Sequence, residues 1–174
     1  ILQVYHNGDA YLVEYDNPRC IFIRDGEVIK IPRNTRVVQD KEINEFRFTV
    51  KKGDALILLS DGTIHAGVGK SMTFGWPWKD IAEFVVRQRE HAISSIRLAA
   101  AVCEECDKLY EGKPGDDTTV AVMQIIDRRP VHLMTGPPVD RDDDERIISE
   151  FMKDETASRI VSGGTSATIL SREL

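Results

Sequence analysis

The sequence predicts an α+β fold, and three observations carry that prediction. The first sixty residues hold short runs of β-branched and aromatic residues separated by turn signals. Two longer stretches between Trp78 and Tyr110 place apolar residues at helical spacing. Past Asp127-Arg128-Arg129-Pro130 the order changes to strand, helix, strand, helix, which suggests a small parallel βαβα unit. The expected division is therefore residues 1–129 for the main part and 130–174 for a small α/β extension.

Taken in order, the predicted strands are Leu2–His6, Ala10–Tyr15, Cys20–Arg24, Val28–Ile31, Phe46–Val50 and Ala55–Leu59. Asn7-Gly8 and Asp25-Gly26 read as hairpin turns, so this part is expected to be an antiparallel meander. Ala55-Leu56-Ile57-Leu58-Leu59 is apolar without alternation, the pattern of a central strand buried on both faces. Trp78–Glu90 reads as a helix through Ile81, Phe84, Val85 and Gln88. Ala92–Tyr110 reads as a second, through Ile93, Ile96, Ala100, Cys103 and Leu109. Gly112-Lys113-Pro114-Gly115 breaks the chain before a strand at Thr118–Ile126. The tail is predicted as a strand (Val131–Met134), a helix (Asp143–Lys153), a strand (Arg159–Val161) and a helix start (Ser166–Leu170).

Length and composition narrow the function. A chain of 174 residues buries roughly 70% of its unfolded surface, enough for a core without staples. Net charge is −6 with no basic stripe, which argues against nucleic acid and against an anionic membrane surface. No apolar run approaches the roughly 20 residues that span a bilayer, and no signal peptide is visible. Three cysteines make no disulfide framework and suit a reducing compartment, so a cytoplasmic location is expected. Ile1 opens inside a strand-like run and Leu174 stops inside a helical start, so the chain reads as a piece of a longer protein. A strand cut at Ile1 would leave a sheet edge able to pair with another chain.

Two motifs carry chemistry. Ser60-Asp61-Gly62 follows the central strand, where a short exit turn would hold Asp61 rigidly; taken alone, Asp-Gly is also a common turn. Gly115-Asp116-Asp117-Thr118-Thr119 leads into Val120-Ala121-Val122-Met123, and its adjacent carboxylates repel unless a cation neutralises them. Carboxylates at the mouths of buried strands bind hard cations well. If the two strand ends meet, the chain handles phosphate with a metal.

Lys52-Gly53-Asp54-Ala55-Leu56-Ile57-Leu58-Leu59-Ser60-Asp61-Gly62, the two helices and Gly115-Asp116-Asp117-Thr118-Thr119-Val120 resemble the second half of a metal-dependent serine/threonine phosphatase (PP2C-like). Within that family they look like the branch typified by the bacterial stage II sporulation protein E. Val4-Tyr5-His6-Asn7-Gly8-Asp9-Ala10 and the hairpin after it are similar too, so the resemblance covers about residues 1–126. It implies an α-β-β-α sandwich of antiparallel sheets, present in part. It also implies that Asp61 and Asp116 are ligands of a dinuclear Mn2+ or Mg2+ centre, with Gly62 and Asp117 adjacent. The activity implied is hydrolysis of phosphoserine or phosphothreonine on a regulatory phosphoprotein through metal-activated water. The family's bridging aspartate lies upstream of anything present here, and Asp25-Gly26 is a hairpin turn rather than its equivalent. This chain alone is therefore expected to be inactive.

Other features have milder readings. His65 stands where relatives often carry a small or acidic residue; it reads as a loop histidine near the site, or as a rim residue that carries protons. Cys103-Glu104-Glu105-Cys106 lies mid-helix with no second ligand pair, so it reads as structural. Val161-Ser162-Gly163-Gly164-Thr165-Ser166 reads as an N-cap turn by Thr165 or Ser166, or as a phosphate cradle. Asp140-Arg141-Asp142-Asp143-Asp144-Glu145 reads as a helix cap and solvated face. Phe74-Gly75-Trp76-Pro77-Trp78 offers a staple for the next helix or a docking patch for a partner. Beside the phosphatase reading stand a non-catalytic phosphatase-like binding module, and a separate anion- or nucleotide-binding role for the tail.

Overall fold

A computed structural model describes residues 1–91, 94–127 and 130–174. They form two compact units, Ile1–Ile126 and Asp127–Leu174.

The first unit contains two four-stranded antiparallel sheets. One has the order β1-β2-β6-β5, from β1 (Leu2–Val4), β2 (Asp9–Glu14), β5 (Arg33–Val38) and β6 (Lys41–Thr49). The other has the order β4-β3-β7-β8, from β3 (Ile21–Arg24), β4 (Glu27–Val28), β7 (Ala55–Leu59) and β8 (Val120–Gln124). This corrects the expected meander: β2 pairs with β6 and β3 with β7, so the chain crosses between sheets.

The two faces of β7 explain its unbroken apolar sequence. Leu56 packs with Ala10, Leu12, Phe22 and Phe46 between the sheets. Ala55, Ile57 and Leu59 face the other way, onto Ile81 and Val85 of α2 (Trp78–Glu90) and Leu98 and Val102 of α3 (Ser95–Leu109). The layers run sheet, sheet, helices, and β7 lies at the centre of the second.

Local chemistry accounts for the boundaries. Asp25 and Gly26 both take positive φ (51° and 82°), the two-residue turn predicted between β3 and β4. The strand predicted at Val28–Ile31 is shorter and earlier, β4 covering Glu27–Val28. Strand β5 and the β5–β6 hairpin were not predicted. Every residue of β5 is exposed, so there is no apolar alternation, and its turn uses Gln39 and Asp40 at φ 51° and 60° without a glycine to announce it. Asp54, only 1% exposed, takes a forked pair of bonds from Arg24, at 3.0 Å from Nε and 2.6 Å from Nη2. The same guanidinium reaches the Thr49 carbonyl at 2.8 Å, tying β3 to the end of β6.

The second helix begins at Ser95, where the Ser94 hydroxyl accepts from the Arg97 N–H; the predicted start at Ala92 and Ile93 lies outside the described residues. Its buried stripe is Leu98, Val102 and Cys106, whereas Ile96 is 82% exposed, so the predicted stripe was turned away from the core. A helix this rich in alanine and cysteine offers two overlapping stripes, and periodicity alone does not choose. Of the Cys-x-x-Cys pair, Cys106 is buried and Cys103 exposed, both as free thiols. Burial pushes the Cys106 thiol up to about 12, which keeps it protonated and inert. In the aromatic loop Trp76 is buried and meets the Phe84 ring edge-on at 5.3 Å, while Trp78 Nε1 donates to the Arg19 carbonyl; Phe74 alone stands fully out.

The second unit pairs β9 (Val131–Thr135) with β10 (Ser158–Ser162) in parallel, with α4 (Asp144–Met152) and α5 (Gly164–Glu173) packing through Met134, Ile148 and Ile169. The predicted boundary residues Arg128 and Arg129 lie outside the described residues. Asp140 caps the turn before α4 by accepting from the Asp142 N–H. Asp144 is not on the solvated face: it is buried and paired with Arg172 at 2.6 Å. The residue that caps α5 is Gly163 (φ 105°), and neither Thr165 nor Ser166 does so. Among the described residues no helix is long and apolar enough to cross a membrane.

Candidate metal centre

Antiparallel pairing of β7 with β8 decides where the two acidic motifs go. Leu59, the last residue of β7, stands opposite Val120, the first of β8. The chain leaving β7 and the chain entering β8 therefore meet at one end of the sheet. Asp61 opens a single helical turn, α1 (Asp61–Ile64), directly after β7, and Asp116 lies in the loop before β8.

Several bonds clamp the two segments. The Ser60 N–H donates to the Thr119 carbonyl at 3.0 Å, and the Thr119 N–H donates to Ser60 Oγ at 2.8 Å. Ser60 Oγ in turn donates to the Asp117 carbonyl at 3.2 Å. Gly62 is buried against that same carbonyl; a Cβ there would come closer to the Asp117 backbone than real side chains do. The glycine after Asp61 thus permits close approach of the two loops.

Tyr110, 3% exposed at the end of α3, closes the arrangement from beneath. Its hydroxyl donates to the Gly62 carbonyl at 2.9 Å, and its ring lies 3.4 Å from where a Cβ on Gly115 would stand. Burial pushes its phenol above the ordinary value, with the Asp116 carboxylate, the Cys106 thiol and the Asp61 carboxylate adding to the effect. The hydroxyl therefore remains a neutral donor. Nothing in the sequence marks this tyrosine, since an aromatic residue at a helix end is ordinary.

Among the described residues, Asp61, His65 and Asp116 bring one ligand atom each to within 4.8 Å of one another, and all three are exposed. His65 joins because α1 makes one helical turn: its N–H donates to the Asp61 carbonyl at 3.0 Å, and residues four apart share a helix face. Asp117 does not belong to this group; it contributes its carbonyl to the clamp. Asp61 and Asp116 also accept bonds from the next residues' N–H groups, at 3.0 and 2.8 Å, which orients their carboxylates. Two carboxylates and an imidazole make a donor set that fits a divalent cation. A cavity of about 450 Å³ lined by His65, Val68, Tyr110, Gly115 and Asp116 opens beside them.

Several solved structures share this fold. The phosphatase domain of the cell fate determinant SpoIIE from Bacillus subtilis matches with a TM-score of 0.56 and 16% identity, over 75% of this chain and 59% of that one. A manganese-presoaked form of that domain gives 0.56 and 16%, over 75% and 57%. A crystal form without domain swapping gives 0.51 and 17%, over 76% and 56%. At such identity the likeness establishes the fold, and the chain spans about three-fifths of the length of the domains it matches. A search of the curated proteins finds no match. The model of the stage II sporulation protein E (SpoIIE) family matches residues 4–126. Matching over that span and sharing the fold of its phosphatase domain, the chain belongs to the stage II sporulation protein E family.

Proposed function

We propose that this chain is part of a metal-dependent protein phosphatase that hydrolyses phosphoserine or phosphothreonine on a regulatory protein, in a reducing, cytoplasmic compartment. The observation that carries this reading is the convergence of Asp61 and Asp116 at the shared end of β7 and β8. Bound Mn2+ or Mg2+ supplies the Lewis acidity that activates water and offsets phosphoryl charge. The chain's own residues do the rest. Asp61 and Asp116 hold the cation from one side, each oriented by a backbone N–H. Gly62 and Ser60 keep the two loops in register. The open side, next to the cavity lined by Val68 and Gly115, admits the phosphoryl group.

The complete centre in this reading is dinuclear, with its bridging carboxylate supplied by residues outside these 174, so the chain by itself is catalytically silent. Residues 130–174 form a separate α/β extension that takes no part in the chemistry. A phosphopeptide and p-nitrophenyl phosphate assay with Mn2+ tests both halves of the reading. The 174 residues give no turnover, and the longer protein turns over both substrates only with metal. Metal-independent turnover overturns the metal-dependent reading, turnover by the 174 residues overturns their silence, and none by the longer protein favours a non-catalytic binding module instead.

A further inference from the structure

His65 is the part of the site that the two aspartate motifs do not account for. Its backbone is fixed on both sides. The His65 N–H donates to the Asp61 carbonyl at 3.0 Å, and the His65 carbonyl accepts from Val68 at 3.1 Å. Gly75, at φ +84°, packs so closely that a Cβ there would lie 3.1 Å from the His65 Cα and overlap the Ile64 carbonyl. The imidazole itself is exposed, lines the same cavity as Asp116, and lies with the Asp61 and Asp116 carboxylates in a group spanning 4.8 Å.

That spacing is close to what one ion requires. Ligands about 2.1 Å from an ion lie about 3 Å apart when adjacent and about 4.2 Å apart when opposite. All three side chains are exposed, so solvent-facing rotamer adjustment is open to each of them. We propose that His65 is a nitrogen ligand of this centre, and that it makes the site select Mn2+ and similar transition ions over Mg2+. The inference rests on the metal-centre reading above and adds to it a ligand and a metal preference.

The chemistry behind the preference is the ligand's. Mg2+ favours an all-oxygen shell and gives up water reluctantly, so an imidazole offers it little. Transition ions accept imidazole nitrogen readily, and Mn2+ also retains its affinity for carboxylate. An Asp-Asp-His set therefore suits Mn2+ better than Mg2+, where a set of carboxylates alone would accept either. Four residues past Asp61 is also the spacing that needs no long-range contact: one helical turn sets it, and the turn is held by Gly75.

Mn2+ and Mg2+ titrations by calorimetry, with electron spin-echo spectroscopy of the Mn2+-loaded chain, test this directly. The chain is expected to show a directly coordinated nitrogen, which His65→Ala removes. His65→Ala lowers Mn2+ affinity about ten- to a hundredfold, no less than loss of an outer-shell partner costs, and leaves Mg2+ nearly unchanged. His65→Asp restores binding but erases the difference between the ions. A Mn2+ spectrum without coordinated nitrogen, or an unchanged ion ratio in His65→Ala, overturns the inference; if Asp61→Asn still abolishes Mn2+ binding, the metal-centre reading survives. Mn2+ binding unaffected by Asp61→Asn, or absent altogether, overturns both.

Discussion

Tyr110 is placed where α3, the turn after β7 and the loop before β8 meet. Its hydroxyl holds the Gly62 carbonyl while its ring backs Gly115, so one side chain braces both acidic loops beside the Ser60 clamp. Tyr110→Phe removes a single buried hydrogen bond and is expected to lower stability by about 1 kcal/mol. Mn2+ affinity should fall as well, with secondary structure intact; calorimetry and chemical denaturation read the two effects separately. At Asp54 the balance is different. Burial alone would raise its carboxyl, but the Arg24 fork, the Lys51 N–H and the nearby positive charge together hold it below the usual carboxylate range. A carboxylate held low contributes stability above its unfolded value, about pH 3.9, and loses it as pH falls through the folded value. Asp54→Asn should cost about 2 kcal/mol at pH 7. That is less than the about 3–5 of fully buried pairs, because the Arg24 side chain is 27% exposed while that of Asp54 is 1% exposed. The gap between the two proteins should shrink when denaturation is repeated below pH 3.9.

At the scale of elements, the site depends on how closely the turn α1 can lie against the loop that precedes β8. Gly62→Ala introduces a methyl group against the Asp117 carbonyl and must push the two apart. We expect a loss of about 1–3 kcal/mol, the range for overpacking, and a fall in Mn2+ affinity larger than that of Tyr110→Phe. The sequence made some of these elements plain. Strand β7 was readable to its exact ends because both its faces are buried, which leaves no polar residue to blur the run. Its buried course is also why the Asp at its exit could be singled out. The β5–β6 hairpin was invisible, since its strand is exposed throughout and its turn forces Gln39 and Asp40 into conformations that glycine or asparagine would have advertised. The face of α3 was misjudged because Ile96 is apolar yet exposed. Tyr110 carries no signal in the sequence, for its role comes from Gly62, 48 positions away, meeting it in space.

For the whole molecule, the question is which part carries the function. Asp61, His65, Tyr110 and Asp116 all belong to the first unit, Ile1–Ile126, and both its apolar clusters are built from residues within it. The second unit has its own small core of Met134, Ile148 and Ile169. A chain ending at Ile126 should therefore fold cooperatively and bind Mn2+ with the affinity of the full 174 residues. Circular dichroism melting and calorimetry check this, and a loss of binding on truncation would mean that the tail supports the site. The central claim, that Asp61 and Asp116 hold a divalent ion between β7 and β8, is tested most directly by anomalous diffraction from crystals soaked in Mn2+. An anomalous peak within coordinating distance of both carboxylates is the predicted result. A peak elsewhere, or none at saturating Mn2+, would contradict it.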